Sequence, residues 1–219
     1  MMQQENVYAP VSMGTTLIGI KYAGGVIMAS DTWTTRGTFV ADRAALKINE
    51  ISPSVHDFGS IKVMRCGNAA HSQMVSRMVK NYLTMHAMEL PDHARLNIDT
   101  ALNIYKSICY GNKNYLSAAY LVTNGQELAS VNTSGAVIKH SDWASFGSGS
   151  IYVDGFIKSH MRGELSYIEA KELALRAVSL AIDSDGSSGG NVRLVDVKAT
   201  GESAMEIVDN SKLEDFLVK

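Results

Sequence analysis

A threonine close to the start of the chain is the first residue whose type and position could support catalysis. Thr15 follows Gly14, at the junction between a polar segment and the first run of strand-forming residues. A threonine hydroxyl is a weak nucleophile, but an N-terminal threonine can use its own α-amine as the base. That amine has a pKa of about 7.7–8.0, so a good fraction is neutral near pH 7. Cleavage after Gly14 would create this base, although the tripeptide Gly14-Thr15-Thr16 by itself is not specific.

The segment before Thr15 differs from the rest of the chain. Residues 1–14 are polar, lack periodicity and carry one charge, Glu5. They have neither the basic start nor the apolar stretch of a secretory signal. From composition alone, an ordinary frayed extension explains them as well as a removable segment does.

Composition excludes several classes of function. The chain has 219 residues, which favours one domain, and a net charge of −2, which argues against a nucleic-acid or anionic-membrane partner. No apolar run approaches the roughly 18–20 residues that span a bilayer. The two cysteines and six histidines have no metal-ligand spacing, and free thiols are typical of a reducing compartment. We therefore expect an intracellular protein without a metal, a membrane or a nucleic-acid partner.

Hydrophobic periodicity predicts the elements that must position Thr15. Two apolar runs around Gly24-Gly25 predict a hairpin of residues 16–22 and 26–29. Helical spacing predicts helices over 69–90, 99–110, from about 151, and 167–182. Further strands are expected at 38–40, 60–64, 116–123, 128–132, 136–139, 192–198 and 205–208. Because hairpins link the strands, we expect two largely antiparallel sheets face to face, with helix pairs outside them.

Several short stretches, in a specific order and spacing, resemble a protein family. They are Gly14-Thr15-Thr16, Gly24-Gly25-Val26, Ala29-Ser30-Asp31, and residues 43–47, 65–70, 147–150 and 185–190. Together they are similar to the catalytic β subunits of the eukaryotic 20S proteasome, which are N-terminal-nucleophile threonine proteases. The resemblance covers nearly the whole chain from Thr15. It implies an α+β fold, a four-layer αββα sandwich, with a propeptide over 1–14 and a single domain over 15–219.

The resemblance assigns the catalytic roles. Thr15 matches the nucleophile, Lys47 the active-site lysine, Asp31 its carboxylate partner and Gly67 the backbone N–H donor to the oxyanion. A nearby ammonium favours the threonine alkoxide, and an oxyanion donor of this kind is worth roughly 10²–10³ in rate. Around the threonine amine, the matching polar residues are Ser148, Asp185 and Ser188. Taken alone, Asp31 and Lys47 would equally describe a solvated ion pair, and Gly67 the end of a strand.

The resemblance also implies a specificity. Arg65 matches the base of the pocket for the substrate residue before the cleaved bond (P1), and an arginine there is similar to the caspase-like type. A guanidinium can bind the carboxylate of a P1 Asp or Glu through two hydrogen bonds. The alternative is that Arg65 points to solvent. Thr34 and Thr35 match the segment whose backbone pairs with the substrate.

Three positions depart from the family pattern. The chain between Lys47 and Gly67 is several residues longer, through residues 49–59. Arg36 stands where a small polar residue is expected, and Asp154 interrupts an aromatic pattern. None of these belongs to the catalytic set, but they bear on subunit contacts and substrate preference.

The family implies a threonine endopeptidase that cuts itself between Gly14 and Thr15 and then cleaves unfolded or ubiquitin-targeted proteins after acidic residues. It implies no cofactor, a heptameric β ring assembled with other α and β subunits, and a location in the cytoplasm and nucleus. Two alternatives remain. One is a structural β-ring subunit without activity, and the other is a threonine protease of a simpler ring.

Overall fold

The computed structural model describes residues 14–53, 59–91 and 97–213. In chain order the elements are β1 (Leu17–Tyr22), β2 (Gly25–Asp31), β3 (Thr34–Arg36), β4 (Phe39–Asp42), β5 (Ile48–Glu50), β6 (Lys62–Gly67), α1 (Ala69–Met88), α2 (Ile98–Gly111), β7 (Ala118–Thr123), β8 (Leu128–Val131), β9 (Val137–His140), β10 (Trp143–Phe146), α3 (Ser150–His160), α4 (Tyr167–Ser184), β11 (Val192–Lys198) and β12 (Ser203–Val208). A 3₁₀ turn follows over Asn210–Lys212. Residues 1–13, which hold nearly all of the expected propeptide, lie outside the described part.

The strands form two five-stranded sheets and a small hairpin. The first sheet has the order β10-β1-β2-β11-β12, the second has the order β5-β6-β7-β8-β9, and β3 pairs with β4. Every strand pair within the described ranges is antiparallel. The predicted antiparallel sheets are therefore confirmed.

Three apolar clusters separate four layers. Side chains from both sheets, among them Leu17, Met28 and Leu121, form one cluster between the sheets. A second cluster packs α3 and α4 on the first sheet, and a third packs α1 and α2 on the second sheet. Within β2, alternate side chains belong to alternate clusters: Met28 faces the other sheet, and Ile27 faces the helices. This arrangement confirms the αββα sandwich.

Helix α1 follows the predicted spacing but ends two residues early. Its buried stripe is Val75, Val79 and Leu83, whereas Met74 and Tyr82, from the same apolar pattern, are about half exposed. At 3.6 residues per turn, only one of two adjacent stripes can face the sheet. No helix among the described residues is long and apolar enough to cross a membrane.

Three short strands were not predicted. They are β3 and β5, with three residues each, and β10, with four. The long segment between β5 and β6 includes residues 54–58, which lie outside the described ranges.

Candidate active site

Thr15 lies at the entry to β1, with only 4% of its surface exposed. The residue before it is held closely. Gly14 donates its N–H to Oγ1 of Thr35, 2.9 Å away. A Cβ added to Gly14 would lie 1.9 Å from Cβ of Ser187, so no other residue fits there without movement. In the uncut chain the Thr35 side chain therefore holds the Gly14–Thr15 junction, in addition to the backbone role that the resemblance implies for it.

Asp31 and Lys47 form a buried ion pair. Lys47 Nζ lies 2.5 Å from Oδ1 of Asp31, and both side chains are almost completely inaccessible to solvent. The carboxylate also accepts backbone N–H bonds from Thr16 at 2.9 Å, Trp33 at 3.2 Å and Gly189 at 3.1 Å. A solvated surface pair would not be enclosed by backbone donors in this way. The alternative of an ordinary surface ion pair is therefore wrong.

The environment of Lys47 sets its acidity. Burial lowers the pKa of the Lys47 ammonium below its ordinary value, although the carboxylate of Asp31 raises it in part. Thr15 and Lys47 line the same cleft. A lysine that releases its proton more readily than an exposed one can exchange that proton with a neighbouring hydroxyl.

A chain of hydrogen bonds leads away from the nitrogen of Thr15. This N–H donates to Oγ of Ser148 at 3.2 Å, and Ser148 donates to Oδ2 of Asp185 at 2.5 Å. Ser188 donates to the same oxygen at 2.8 Å, and its hydroxyl lies 2.8 Å from Oγ1 of Thr16. Of the three polar residues matched to the threonine amine, only Ser148 contacts this nitrogen; Asp185 and Ser188 join it through the network, which Thr16 extends.

Gly67 lies at the end of β6 and lines the cleft with Thr15. Its φ is +90°, and a Cβ there would lie 2.5 Å from the carbonyl oxygen of Ser117. Both facts require glycine at this position. The neighbouring Cys66 also lines the cleft, but burial raises the pKa of its thiol to about 11. Cys66 is therefore protonated at neutral pH, and a protonated thiol is a weak nucleophile.

Arg65 lines the same cleft, of about 250 Å³, together with Thr34. It is half-buried, and burial lowers the pKa of its guanidinium from the ordinary value. Nε donates to Oδ1 of Asn49 at 2.9 Å, and Nη2 donates to the carbonyl of Leu46 at 2.8 Å. Within the ranges that the structure describes, no carboxylate lies within ion-pair distance of Arg65. The cleft therefore contains a cation without an anionic partner from those ranges.

The other two departures from the family pattern lie elsewhere. Arg36 is exposed at the end of β3. Asp154, on α3, accepts a hydrogen bond from Ser145. Neither residue lines the cleft that contains Thr15.

Sequence reasoning missed two residues of this site. In the sequence, Thr16 stands out only as part of the tripeptide Gly14-Thr15-Thr16, and Asn49 only as the start of the long segment 49–59. No spacing rule marks either one, because each acts through a residue distant in sequence: Thr16 through Ser188, and Asn49 through Arg65. Among the described residues, no cluster of three or more His, Cys, Asp or Glu could hold a metal ion.

The chain is similar to known proteins along most of its length. A family model described as "Proteasome subunit" matches residues 11–197. Proteasome subunit beta type-6 of Arabidopsis thaliana is 36% identical over 201 residues, which cover 90% of this chain and 82% of the relative. The type-6 subunit of Dictyostelium discoideum is 33% identical over 92% of each chain, and proteasome subunit beta type-1 of Saccharomyces cerevisiae is 32% identical over 87% and 86%. The chain thus belongs to the proteasome subunit family, and its relatives identify it as a β subunit.

Proposed function

We propose that this chain is a catalytic threonine endopeptidase subunit of the 20S proteasome core particle, made as a precursor. One observation carries the proposal. The nitrogen of Thr15 donates to Ser148, and the buried Lys47 lines the same cleft as Thr15. A structural subunit has no need for a buried lysine, its carboxylate partner and a polar network around one threonine.

Maturation begins at the closely held Gly14. The Oγ of Thr15 attacks the carbonyl carbon of Gly14, and the acyl group moves from the Thr15 nitrogen to its oxygen, giving an ester. Water then hydrolyses this ester. The products are residues 1–14 with a free carboxylate, and a mature chain, residues 15–219, that starts with the α-amine of Thr15.

Turnover uses the same groups. Oγ of Thr15 attacks the scissile carbonyl, while the α-amine accepts its proton and passes it to the leaving amine. The ammonium of Lys47 stabilises the negative charge on Oγ, and the N–H of Gly67 stabilises the oxyanion. Water then hydrolyses the acyl-enzyme and regenerates Thr15. Ser148, Asp185 and Ser188 orient the amine and relay protons.

The preference for acidic residues rests on Arg65. A half-buried guanidinium with no anionic partner in the described ranges attracts a P1 carboxylate, and charge-assisted hydrogen bonds then hold it. The backbone of Thr34 and Thr35 would pair with the substrate strand. We expect cleavage after Glu or Asp to exceed cleavage after apolar residues.

The proposal includes the assembly. The chain would occupy a heptameric β ring in a four-ring particle with other α and β subunits, in the cytoplasm and nucleus. Enclosed sites of this kind admit only unfolded polypeptides, including ubiquitin-targeted proteins.

The test is N-terminal sequencing of the chain from assembled particles, combined with covalent labelling by an electrophilic peptide. We expect the sequence to start at Thr15 and the label to attach there. Thr15→Ala should abolish both processing and labelling, whereas Thr133→Ala, at an exposed turn, should leave both unchanged. An intact Gly14–Thr15 bond in assembled, wild-type particles would instead support the structural, non-catalytic alternative.

A further inference from the structure

Asn49 holds the guanidinium of Arg65 from the neighbouring strand. We propose that Asn49 is a positioning residue that orients Arg65 toward an acidic P1 side chain, and that its neutral amide keeps the charge of Arg65 available to the substrate. The inference rests on the proposed function of Arg65 and adds a second determinant of specificity.

Two acceptors fix the plane of the guanidinium. Oδ1 of Asn49 accepts from Nε at 2.9 Å, and the carbonyl oxygen of Leu46 accepts from Nη2 at 2.8 Å. A guanidinium carries five N–H donors in one plane, so two of the five are occupied. Neither N–H of Nη1 has an acceptor in the part of the chain that the structure describes. Nη1 and the second N–H of Nη2 therefore remain for a carboxylate.

Whether residue 49 carries an amide or a carboxylate decides whether the guanidinium of Arg65 is free to form an ion pair with the substrate. Both acceptors on Arg65 are uncharged, so they orient the guanidinium without neutralising it. A carboxylate in place of the Asn49 amide would form a close ion pair with Arg65. It would then compete with the carboxylate of the substrate for the same cation. An amide is thus the group that supplies orientation without competition.

The strand that carries Asn49 is tied to β6 at both of its ends. Asn49 pairs with Val63 in the β5–β6 ladder, and the N–H of Arg65 donates to the carbonyl of Lys47 at 3.2 Å. The next residue, Glu50, accepts from Oγ of Ser60 at 2.6 Å and forms an ion pair with Lys62. The end of β5 is therefore tied to β6, and the position of Asn49 relative to Arg65 is fixed.

The experiment compares variants in assembled core particles. Peptides with P1 Glu and with P1 Leu are hydrolysed side by side, and the fraction of labelled Thr15 corrects for the number of active sites. The variants are Asn49→Ala, Asn49→Asp and Arg65→Ala. Asn103→Asp, an exposed change of the same charge on α2, is the matched control.

For Asn49→Ala we expect kcat/KM with P1 Glu to fall about tenfold, mainly through KM, while P1 Leu is unaffected. For Asn49→Asp we expect a fall of about a hundredfold, because the new carboxylate pairs with Arg65. This variant keeps the shape of the side chain and its acceptor oxygen. A merely structural role for Asn49 predicts near-normal cleavage with Asp and reduced cleavage of both peptides with Ala.

The outcomes separate the inference from the function it rests on. If Arg65→Ala reduces the Glu/Leu ratio and Asn49→Asp does not, the role of Asn49 is wrong and the role of Arg65 stands. If Arg65→Ala leaves the ratio unchanged, both are wrong. Loss of Thr15 labelling in the wild-type particle would overturn the protease function itself.

Discussion

The N–H of Thr15 donates to Oγ of Ser148, 3.2 Å away, while Thr15 is still bonded to Gly14. Under the proposed maturation, the nitrogen that would become the catalytic amine thus has its acceptor before cleavage. Ser148 in turn donates to Asp185 at 2.5 Å. If cleavage occurs as proposed, the nitrogen would become a base without having to move.

This contact predicts the effect of Ser148→Ala. The amine would lose its hydrogen-bond partner and its link to Asp185. We expect kcat to fall about 10²-fold, with little change in KM, because proton transfer typically contributes 10²–10⁴. Steady-state hydrolysis by labelled particles measures this. Ser134→Ala, at an exposed turn, is the control and should behave as wild type. A normal kcat in Ser148→Ala particles would contradict a role for Ser148 in proton transfer.

Gly14→Ala should block maturation. The added methyl carbon would lie 1.9 Å from Cβ of Ser187, so the scissile carbonyl must shift away from Oγ of Thr15. We expect most of the chain in assembled particles to retain residues 1–14, as seen by intact-mass measurement.

Gly186→Ala is the matched control for this variant. It lies beside Ser187, and a Cβ there meets nothing within 4 Å. Normal processing is expected. Equal processing of the two variants would show that the close packing of Gly14 is irrelevant to cleavage.

The lowered pKa of Lys47 predicts that peptidase activity falls at alkaline pH. Burial lowers the pKa of Lys47, despite the opposing effect of Asp31, so Lys47 loses its charge at a lower pH than an exposed lysine at about 10.4. If the ammonium stabilises charge on Thr15, kcat/KM should decline with rising pH before that value is reached. The pH profile of peptide hydrolysis tests this. A profile that stays flat through pH 10.4 would contradict the role of charged Lys47.

The lowered pKa of Glu50 predicts that the structure around this residue is less stable in acid. Burial opposes its ionisation, but hydrogen bonds from Lys62, Ser52 and Ser60 outweigh burial and lower the pKa of Glu50. Folding therefore favours the charged form of Glu50. Its contribution to stability is fully present above the pKa of the unfolded chain, about 4.3, and is lost as the pH falls through the lower pKa of the folded chain. Hydrogen exchange at the amide of Ile61, which donates to Glu50 at 3.0 Å, should accelerate in acid more than other protected amides.

Glu50→Gln is the control for this effect, because it removes the titrating group. Its Ile61 amide should exchange faster than wild type at neutral pH and show no additional acid-dependent opening. If the wild-type and Gln chains opened equally across the pH range, the Glu50 carboxylate would not be the cause.

The sequence predicted the parts of this protein that depend on local pattern. Two apolar runs around Gly24-Gly25 predicted the first hairpin, and helical spacing predicted the first two helices of the described chain. Asn49 shows why the rest was missed. Its contact with Arg65 depends on the register of β5 against β6 across a long connection, and a three-residue strand carries no readable period.

The burial of Asp31 was equally unpredictable. The spacing of Asp31 and Lys47 marks two opposite charges, but it does not say whether water separates them. The backbone donors that enclose the carboxylate come from Thr16, Trp33 and Gly189, and the last of these is 158 residues away in sequence. Only the packing of the finished fold brings such donors together.

The same carboxylate has a consequence for the new chain end. Free termini usually fray, because few contacts offset the conformational entropy of the last residues. Here the first two residues after the proposed cut are tied to the interior, since Thr16 donates to Asp31 at 2.9 Å and Gly149 donates to the carbonyl of Thr15 at 3.4 Å. A terminus made by the proposed cleavage would therefore keep these hydrogen bonds to the folded interior, and its amine would stay beside Ser148.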